Sequence, residues 1–229
     1  MLLTRSIAKP SPLPLPVARL PWKQKNIWLQ TSDDVVEITV ENHPLEPFLP
    51  DGSRVLMLGS FPPPKARWSM DFFYPNLQND MWRIFGWIFF ENKDHFLTAD
   101  GKRFDQARLE TFLREKGVAL YDTASRVRRL QGNAADKFLE IEEPTDVKAL
   151  LMQIPLCQAV VTTGQKASET LCQQFGVEPP AVGHHVTAVL SDGRAVRLWR
   201  MPSSSRAYPL KLEKKAAVYA EMLRAEHLL

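Results

Sequence analysis

The stretch that decides the fold is residues 55–82, VLMLGSFPPPKARWSMDFFYPNLQNDMW. It begins with the apolar run at 55–58, which predicts a buried β-strand. Gly59 ends that strand, and the prolines at 62–64 exclude a helix directly after it. The apolar run at 81–90 then predicts a helix. The stretch therefore predicts a strand, a rigid loop and a helix in direct succession.

The loop between this strand and helix combines aromatic rings with amide side chains. Phe72, Phe73 and Tyr74 form an aromatic cluster, and Asn76 and Asn79 come just before the helix. A loop of about 20 residues in a compact domain is usually functional or disordered. Its aromatic content argues against disorder. We therefore expect a pocket for a flat polar ring, and a nucleobase is one such ring.

Three further segments predict strands of the same sheet, at 118–121, 158–162 and 195–200. Helices are predicted at 104–116, 145–153, 166–175 and 209–223. Strands that alternate with helices form a parallel sheet covered on both faces. We therefore expect the α/β class, as a three-layer α/β/α fold around a central, mainly parallel four-stranded sheet. Ligands of such sheets bind at the carboxyl ends of the strands.

The first part of the chain differs in composition from the rest. We expect residues 1–43 to form a proline-rich arm with a possible edge strand at 35–40, and residues 44–229 to form one α/β domain. The segment SPLPLP at 11–16 favours an extended conformation. Two interpretations of it stay open: an arm that docks a partner, or an arm that lies on the domain or is partly disordered.

The composition is that of a soluble globular protein and excludes several classes of function. The net charge of +3 permits nucleic-acid binding without arguing for it. Two cysteines cannot form a disulfide framework or a four-cysteine cluster. His184 and His185 lack a third ligand at a suitable spacing, and neither a Walker loop nor a dinucleotide-binding motif occurs, so we expect no metal and no cofactor. No apolar run reaches the roughly 18 residues of a membrane span, and we expect a cytoplasmic protein without a secretory signal.

Three motifs, taken together and in their order, resemble the uracil-DNA glycosylase superfamily, above all its mismatch-specific and hypoxanthine-type branches. They are GSFP at 59–62, the pattern Y-x-N-x-x-N-x-x-W at 74–82 and MPSSS at 201–205, and the resemblance covers roughly residues 44–226. It implies the uracil-DNA glycosylase-like fold. It also implies a metal-free DNA glycosylase that flips a deaminated base such as uracil or hypoxanthine out of DNA and removes it in base excision repair. Because no motif lysine is placed as a Schiff-base nucleophile, we expect a monofunctional enzyme, and we expect a monomer. Its partner would be DNA that contains a damaged or mismatched base.

The resemblance implies that Asn79 is the catalytic residue. In much of the superfamily an Asp or Asn just before the first motif's proline orients the attacking water, and Phe61 stands there instead. In the hypoxanthine-type branch the asparagine of the Asn-x-x-Trp pattern is assigned that role, and Asn79 matches it. An amide is no strong base, so slow turnover is expected. The alternative is that Asn79 serves as a helix N-cap.

Five residues are expected to bind the base. Tyr74 matches the family's stacking aromatic, and Asp122 stands where the uracil-type enzymes place an asparagine that reads the base edge. A carboxylate only accepts hydrogen bonds, so Asp122 favours a base with donors, unless it is protonated. The alternative is an Asp that caps the strand end. The full set is Gly59, Ser60, Phe61, Tyr74 and Asp122.

The expected DNA contacts come from the loop after the first strand, from a helix start that favours anions and from the last motif. They are Lys65, Gly164, Lys166, Ser203, Ser204, Ser205 and Arg206. Many relatives have a His or Asn where Met201 stands, and methionine cannot donate to the leaving base. Together with Phe61, Met201 keeps a second hypothesis open: a nucleic-acid-binding module that has lost catalysis.

Overall fold

The computed structural model describes residues 39–130 and 136–229. Its strands are β1 (Val40–Asn42), β2 (Val55–Gly59), β3 (Val118–Asp122), β4 (Ala124–Arg129), β5 (Leu139–Pro144), β6 (Ala159–Thr163), β7 (His184–Val189) and β8 (Ala195–Met201). Its α-helices are α1 (Met81–Phe90), α2 (Gln106–Lys116), α3 (Val147–Gln153), α4 (Gln165–Phe175) and α5 (Leu212–Ala225). Two single 3₁₀ turns lie at Lys65–Arg67 and Asp136–Phe138.

The central sheet has five strands, in the spatial order β3-β2-β6-β8-β7. The first four run parallel to one another, and β7 pairs antiparallel with β8 at the edge. The α/β class with a mainly parallel sheet is therefore confirmed, and the four predicted strands are its parallel ones. The predicted count of four is wrong. Of the β7 side chains only that of Ala188 is buried, so this edge strand lacks the buried run that marks β2, β3 and β6.

A second, antiparallel sheet has the order β1-β4-β5. Its middle strand is rich in arginine, but each of these side chains faces a carboxylate, so this sheet is not an open basic surface. The pairs are Arg126–Glu143, Arg128–Glu142 and Arg129–Glu41. The strand expected at 35–40 lies outside the described residues except at 39 and 40, and Val40 begins β1.

The core of the domain forms around the parallel strands. β2, β3 and β6 are buried along their whole length. Helix α2 packs on β3, α4 packs on β6 and β8, and α5 packs on β8 and α1. Within the described ranges, every helix is too short or too polar to cross a bilayer. The register sets Gly59 beside Asp122 and Thr163 beside Met201, so the carboxyl ends of four strands meet at one edge.

Candidate functional site

A cleft of about 840 Å³ opens at the carboxyl ends of β2, β3 and β6. This volume falls within the range of about 300–1,000 Å³ that small-molecule sites have. Strand ends, the long loop after β2 and the segment after β8 all contribute to its walls. The lining residues that matter most are Gly59, Ser60, Tyr74, Asn79, Asp122, Asp136, Thr163 and residues 203–206.

Gly59 and Asp122 lie side by side at the ends of β2 and β3. A Cβ atom on Gly59 would lie 2.4 Å from Asp122 Oδ1, a separation that real Cβ atoms essentially never show. The backbone of Gly59 does not have a positive φ, so the need for glycine here is a need for space. The Asp122 carboxylate can occupy its position because residue 59 has no side chain.

Gly59→Ala should destabilise the protein by about 1–3 kcal/mol, the usual cost of forcing an extra carbon into a packed site. Urea unfolding measures this loss. The added methyl collides with the Asp122 carboxylate, so the same substitution should cost far less in an Asp122→Ala background. An equal loss in both backgrounds would show that the collision is not the cause.

Asp122 is held on its other side by His43. Asp122 Oδ2 lies 2.8 Å from His43 Nε2, and both side chains are almost wholly buried. His43 Nδ1 lies 2.8 Å from the carbonyl oxygen of Leu45, and the ring packs against Tyr121 with centroids 4.5 Å apart. Burial raises the pKa of Asp122 above its ordinary value, the hydrogen bond and charge of His43 oppose this rise, and the charge of Asp136 adds to it.

Asp136 brings a second carboxylate to the cleft. Its Oδ1 accepts a hydrogen bond of 2.7 Å from Ser60 Oγ. Asp136 follows β4 in the chain, so the contact with the end of β2 joins residues 76 positions apart. Because its charge acts on Asp122, the two carboxylates lie close enough to influence each other. This part of the cleft wall, at the ends of β2 and β3, therefore has a marked acceptor character.

Tyr74 is held in an uncommon backbone conformation. Its φ of 49° lies in the left-handed region, which non-glycine residues rarely occupy. Its hydroxyl lies 3.2 Å from Thr163 Oγ1, and its ring meets the Trp82 ring edge to face at 5.8 Å. Burial raises the pKa of Tyr74, and the charge of Asp122 raises it further, so the phenol stays protonated at neutral pH. Contacts on two sides thus fix the ring at the cleft wall.

Asn79 lies on the cleft wall and also supports the start of α1. Its Oδ1 accepts a hydrogen bond of 2.9 Å from the Met81 backbone N–H. A carbonyl oxygen has two lone pairs, so one acceptor position stays available for water. The sequence-based alternatives for Asn79, water orientation and helix capping, are therefore geometrically compatible. Asp80, whose side chain makes no capping bond, is the residue that immediately precedes the helix.

The Asn79 segment is tied to the segment after β8 by a short antiparallel bridge. The Asp80 N–H donates to Ser204 O at 2.8 Å, and the Arg206 N–H donates to Gln78 O at 3.3 Å. Asn79 and Ser205 are thereby paired across the cleft wall. A mostly apolar interior normally contains few charges, yet two charged side chains at this bridge, those of Asp80 and Lys215, are buried; a third, that of Arg206, is 43% exposed.

These three groups, Asp80, Arg206 and Lys215, form what we name the Asp80 network. Asp80 Oδ1 accepts from Arg206 Nε at 2.9 Å, and Asp80 Oδ2 accepts from Lys215 Nζ at 3.1 Å. Lys215 is fully buried on α5 and also donates to Ser205 O at 2.8 Å. The network therefore links the start of α1, helix α5 and the segment after β8, and it holds the Arg206 side chain against Asp80.

Three of the predicted DNA contacts lie off the cleft. Lys65 pairs with Asp71 and lies 3.9 Å above the Trp68 ring. Lys166 Nζ donates to the carbonyl of Leu139 at 2.6 Å, and the Gly164 N–H donates to Met201 O at 3.2 Å. Internal partners thus engage Lys166 and the Gly164 N–H, whereas the Lys65 side chain is still 64% exposed. Arg67, a second cation of the loop after β2, lines the cleft.

The other predicted residues come together at the cleft. They are Gly59, Ser60, Phe61, Tyr74, Asn79, Asp122, Ser203, Ser204, Ser205 and Arg206. Sequence reasoning missed His43, Asp136 and Thr163. Thr163 could have been found as the residue that directly follows a predicted strand, whereas His43 looks like the start of a proline-rich linker. Across the described ranges, no cluster of three or more His, Cys, Asp or Glu side chains has the arrangement of a metal site.

The described fold was compared with known proteins. No family model and no curated protein sequence matches the chain. Among solved structures it is similar to the solution NMR structure of a "putative Uracil DNA glycosylase" from Methanosarcina acetivorans, with a TM-score of 0.52 and 19% sequence identity. That match covers 82% of this chain and 99% of the other. The chain therefore has the uracil-DNA glycosylase-like fold.

Proposed function

From this fold we propose that the protein is a monofunctional DNA glycosylase, which binds DNA with a damaged or mismatched base and removes that base by hydrolysis in base excision repair. One observation carries the proposal: Tyr74, Asn79 and Asp122 line one cleft with residues 203–206, and that cleft has the volume of a small-molecule site. The reaction would need no cofactor, and we expect it to be carried out by a monomer.

Base removal first requires that the base leave the helix. Flipping it out costs a few kcal/mol, and stacking on an aromatic side chain returns about 1–3 kcal/mol. Among the aromatic side chains that line the cleft, we assign stacking to Tyr74, because Thr163 and Trp82 fix its position. Residues 203–206 and Arg67 line the same cleft and supply hydroxyl, N–H and guanidinium groups for the DNA backbone.

The bond between base and sugar then breaks, and water adds to the sugar carbon. In this proposal the free lone pair of Asn79 Oδ1 accepts a hydrogen bond from that water and so orients it. The side chain is steadied by its bond to the Met81 N–H and by the bridge to Ser205. An amide orients water without removing its proton in advance, so the rate depends on how readily the base departs.

The proposal is tested by incubating the protein with duplex and single-stranded oligonucleotides that carry uracil, hypoxanthine, xanthine or an alkylated base. Alkali then cleaves the strand wherever a base has been lost. Tyr74→Ala should lower kcat/KM on the preferred base by the stacking energy of about 1–3 kcal/mol, which is about 5- to 150-fold. Trp87→Ala, which removes an exposed ring outside the cleft, should leave it unchanged. Equal activity of the two variants would remove Tyr74 from base binding.

A second function, a binding module without catalysis, is favoured by one observation. Phe61 packs against His43, and Met201 is buried, so neither supplies the polar group that many relatives have at these positions. Tight binding to DNA with an abasic site, without release of any base in the same panel, would select this function over the first.

A further inference from the structure

We propose, resting on the glycosylase function above, that the cleft selects a base with an amino-bearing and positively charged edge, the chemistry of an N-alkylated purine, rather than uracil. The geometry that points to this is a pair of carboxylates, Asp122 and Asp136, on the cleft wall. His43 is a positioning residue in this proposal, since it acts through Asp122.

Asp122 presents an acceptor to the cleft whether the proton it shares with His43 lies on the ring or on the carboxyl group. Nε2 of His43 lies 2.8 Å from Oδ2, so one proton occupies that contact, either on the ring or on the acid. In both cases Oδ1 carries no proton and can only accept. Oδ1 is also the atom that lies directly beside Gly59, which itself lines the cleft. A base bound there therefore gains from an N–H donor and is repelled by a carbonyl oxygen.

Asp136 extends the same preference along the wall. Its Oδ1 already accepts from Ser60, which leaves its second oxygen free of that bond. The charge of Asp136 disfavours ionisation of Asp122, and a cation between the two carboxylates would relieve this repulsion. Uracil instead offers a single ring N–H between two carbonyl oxygens. Its carbonyl oxygens would therefore face the carboxylate oxygens of the cleft wall, and neither side could donate a hydrogen bond.

The leaving-group chemistry agrees with this choice of base. When the glycosidic bond of a cationic N-alkylated purine breaks, its electron pair enters the positive ring, and the base departs neutral. Water adds to the sugar carbon and releases one proton, so atoms and charge balance. Such a base needs no donor to stabilise a negative charge, and Met201, which is buried off the cleft, supplies none. It also departs readily, which suits an amide that only orients water.

The test compares four substrates: duplex DNA with 3-methyladenine or 7-methylguanine, introduced by a methylating agent, and matched duplexes with uracil or hypoxanthine. Released base is measured by chromatography. We expect kcat/KM for one of the methylated purines to exceed that for uracil by at least about tenfold, since polar sites reject ligands that leave buried polar groups unpaired. Asp122→Asn should reduce that ratio by at least about tenfold. Glu221→Gln, which removes one charge from an exposed position of α5, should not alter it.

Two variants of His43 separate positioning from structure. His43→Phe keeps an aromatic ring against Tyr121 but removes the nitrogen, so Asp122 can carry a proton on either oxygen and the ratio should fall. His43→Gln restores a polar group toward Oδ2 and should recover part of the ratio. A ratio unchanged by Asp122→Asn, or uracil or hypoxanthine released faster than both methylated purines, would overturn this inference and leave the glycosylase function standing. If no base is released from any of the four or from the wider panel above, both fail.

Discussion

Lys215→Met should lower the free energy of unfolding by about 3–5 kcal/mol, the cost of leaving a buried charge without its partner. Lys215 is fully buried, and its ammonium donates to both Asp80 Oδ2 and Ser205 O. After the substitution, Asp80 keeps Arg206 alone, and the Ser205 carbonyl loses a donor. For a domain of this size, such a loss lowers Tm by about 2–4 °C for each kcal/mol.

Urea unfolding, followed by tryptophan fluorescence, measures the effect. Lys214→Met provides the matched control, because Lys214 precedes Lys215 on the same helix and is exposed, so its change should stay within about 0.5 kcal/mol. The double variant Asp80→Asn, Lys215→Met removes both charges of the pair and should be more stable than the sum of the single losses predicts. If Lys215→Met costs no more than Lys214→Met, the Asp80 network does not support the bridge between residues 78–80 and 204–206.

Asn79→Ala should lower the single-turnover rate of base release by about 100-fold, the loss that follows when a reacting group is misplaced by about 1 Å. The reason is that the attacking water loses the acceptor that orients it. The same substitution removes the acceptor for the Met81 N–H, which should cost about 1 kcal/mol of stability. Rate and stability must therefore be measured on the same preparations.

Two further variants divide these effects. Asn79→Ser keeps a side-chain oxygen for the Met81 N–H but is too short to reach the water, so stability should be retained and the rate lost. Asn79→Asp keeps both acceptors and should retain base release. If Asn79→Ser is as active as the unchanged protein, Asn79 serves the helix and another group orients the water.

The parallel strands β2, β3 and β6 could be predicted because burial on both faces leaves a mostly apolar run in the sequence. Gly59, Tyr74 and Asn79 could be placed at one site because a single stretch carries them, and Asp122 because it ends a neighbouring strand. The edge strand β7 could not be predicted, because most of its side chains are exposed and because buried and exposed positions do not alternate regularly along it. The second sheet was not predicted for the same reason, because β4 buries only Ala124 and Val127.

The sequence did not predict which groups the charged side chains would contact. Lys166 looks like a phosphate contact beside a helix start, but its long chain reaches the carbonyl of Leu139. His43 and Asp122 are 79 positions apart, and no local pattern records their contact. The hydrogen bond between Ser60 and Asp136 likewise joins residues that lie 76 positions apart in the sequence. Such pairings depend on how distant segments cross, which composition and periodicity do not describe.

The position of His43 bears on where this protein can be shortened. A recombinant fragment that starts at Pro44, where the proline-rich composition suggests a natural boundary, would lack both β1 and the imidazole against Asp122. The parallel strands of the central sheet would be complete in this fragment, whereas the Asp122 carboxylate would have lost its buried partner. A fragment that retains residues 39–43 keeps this contact, and crystallisation or screening work should begin from there.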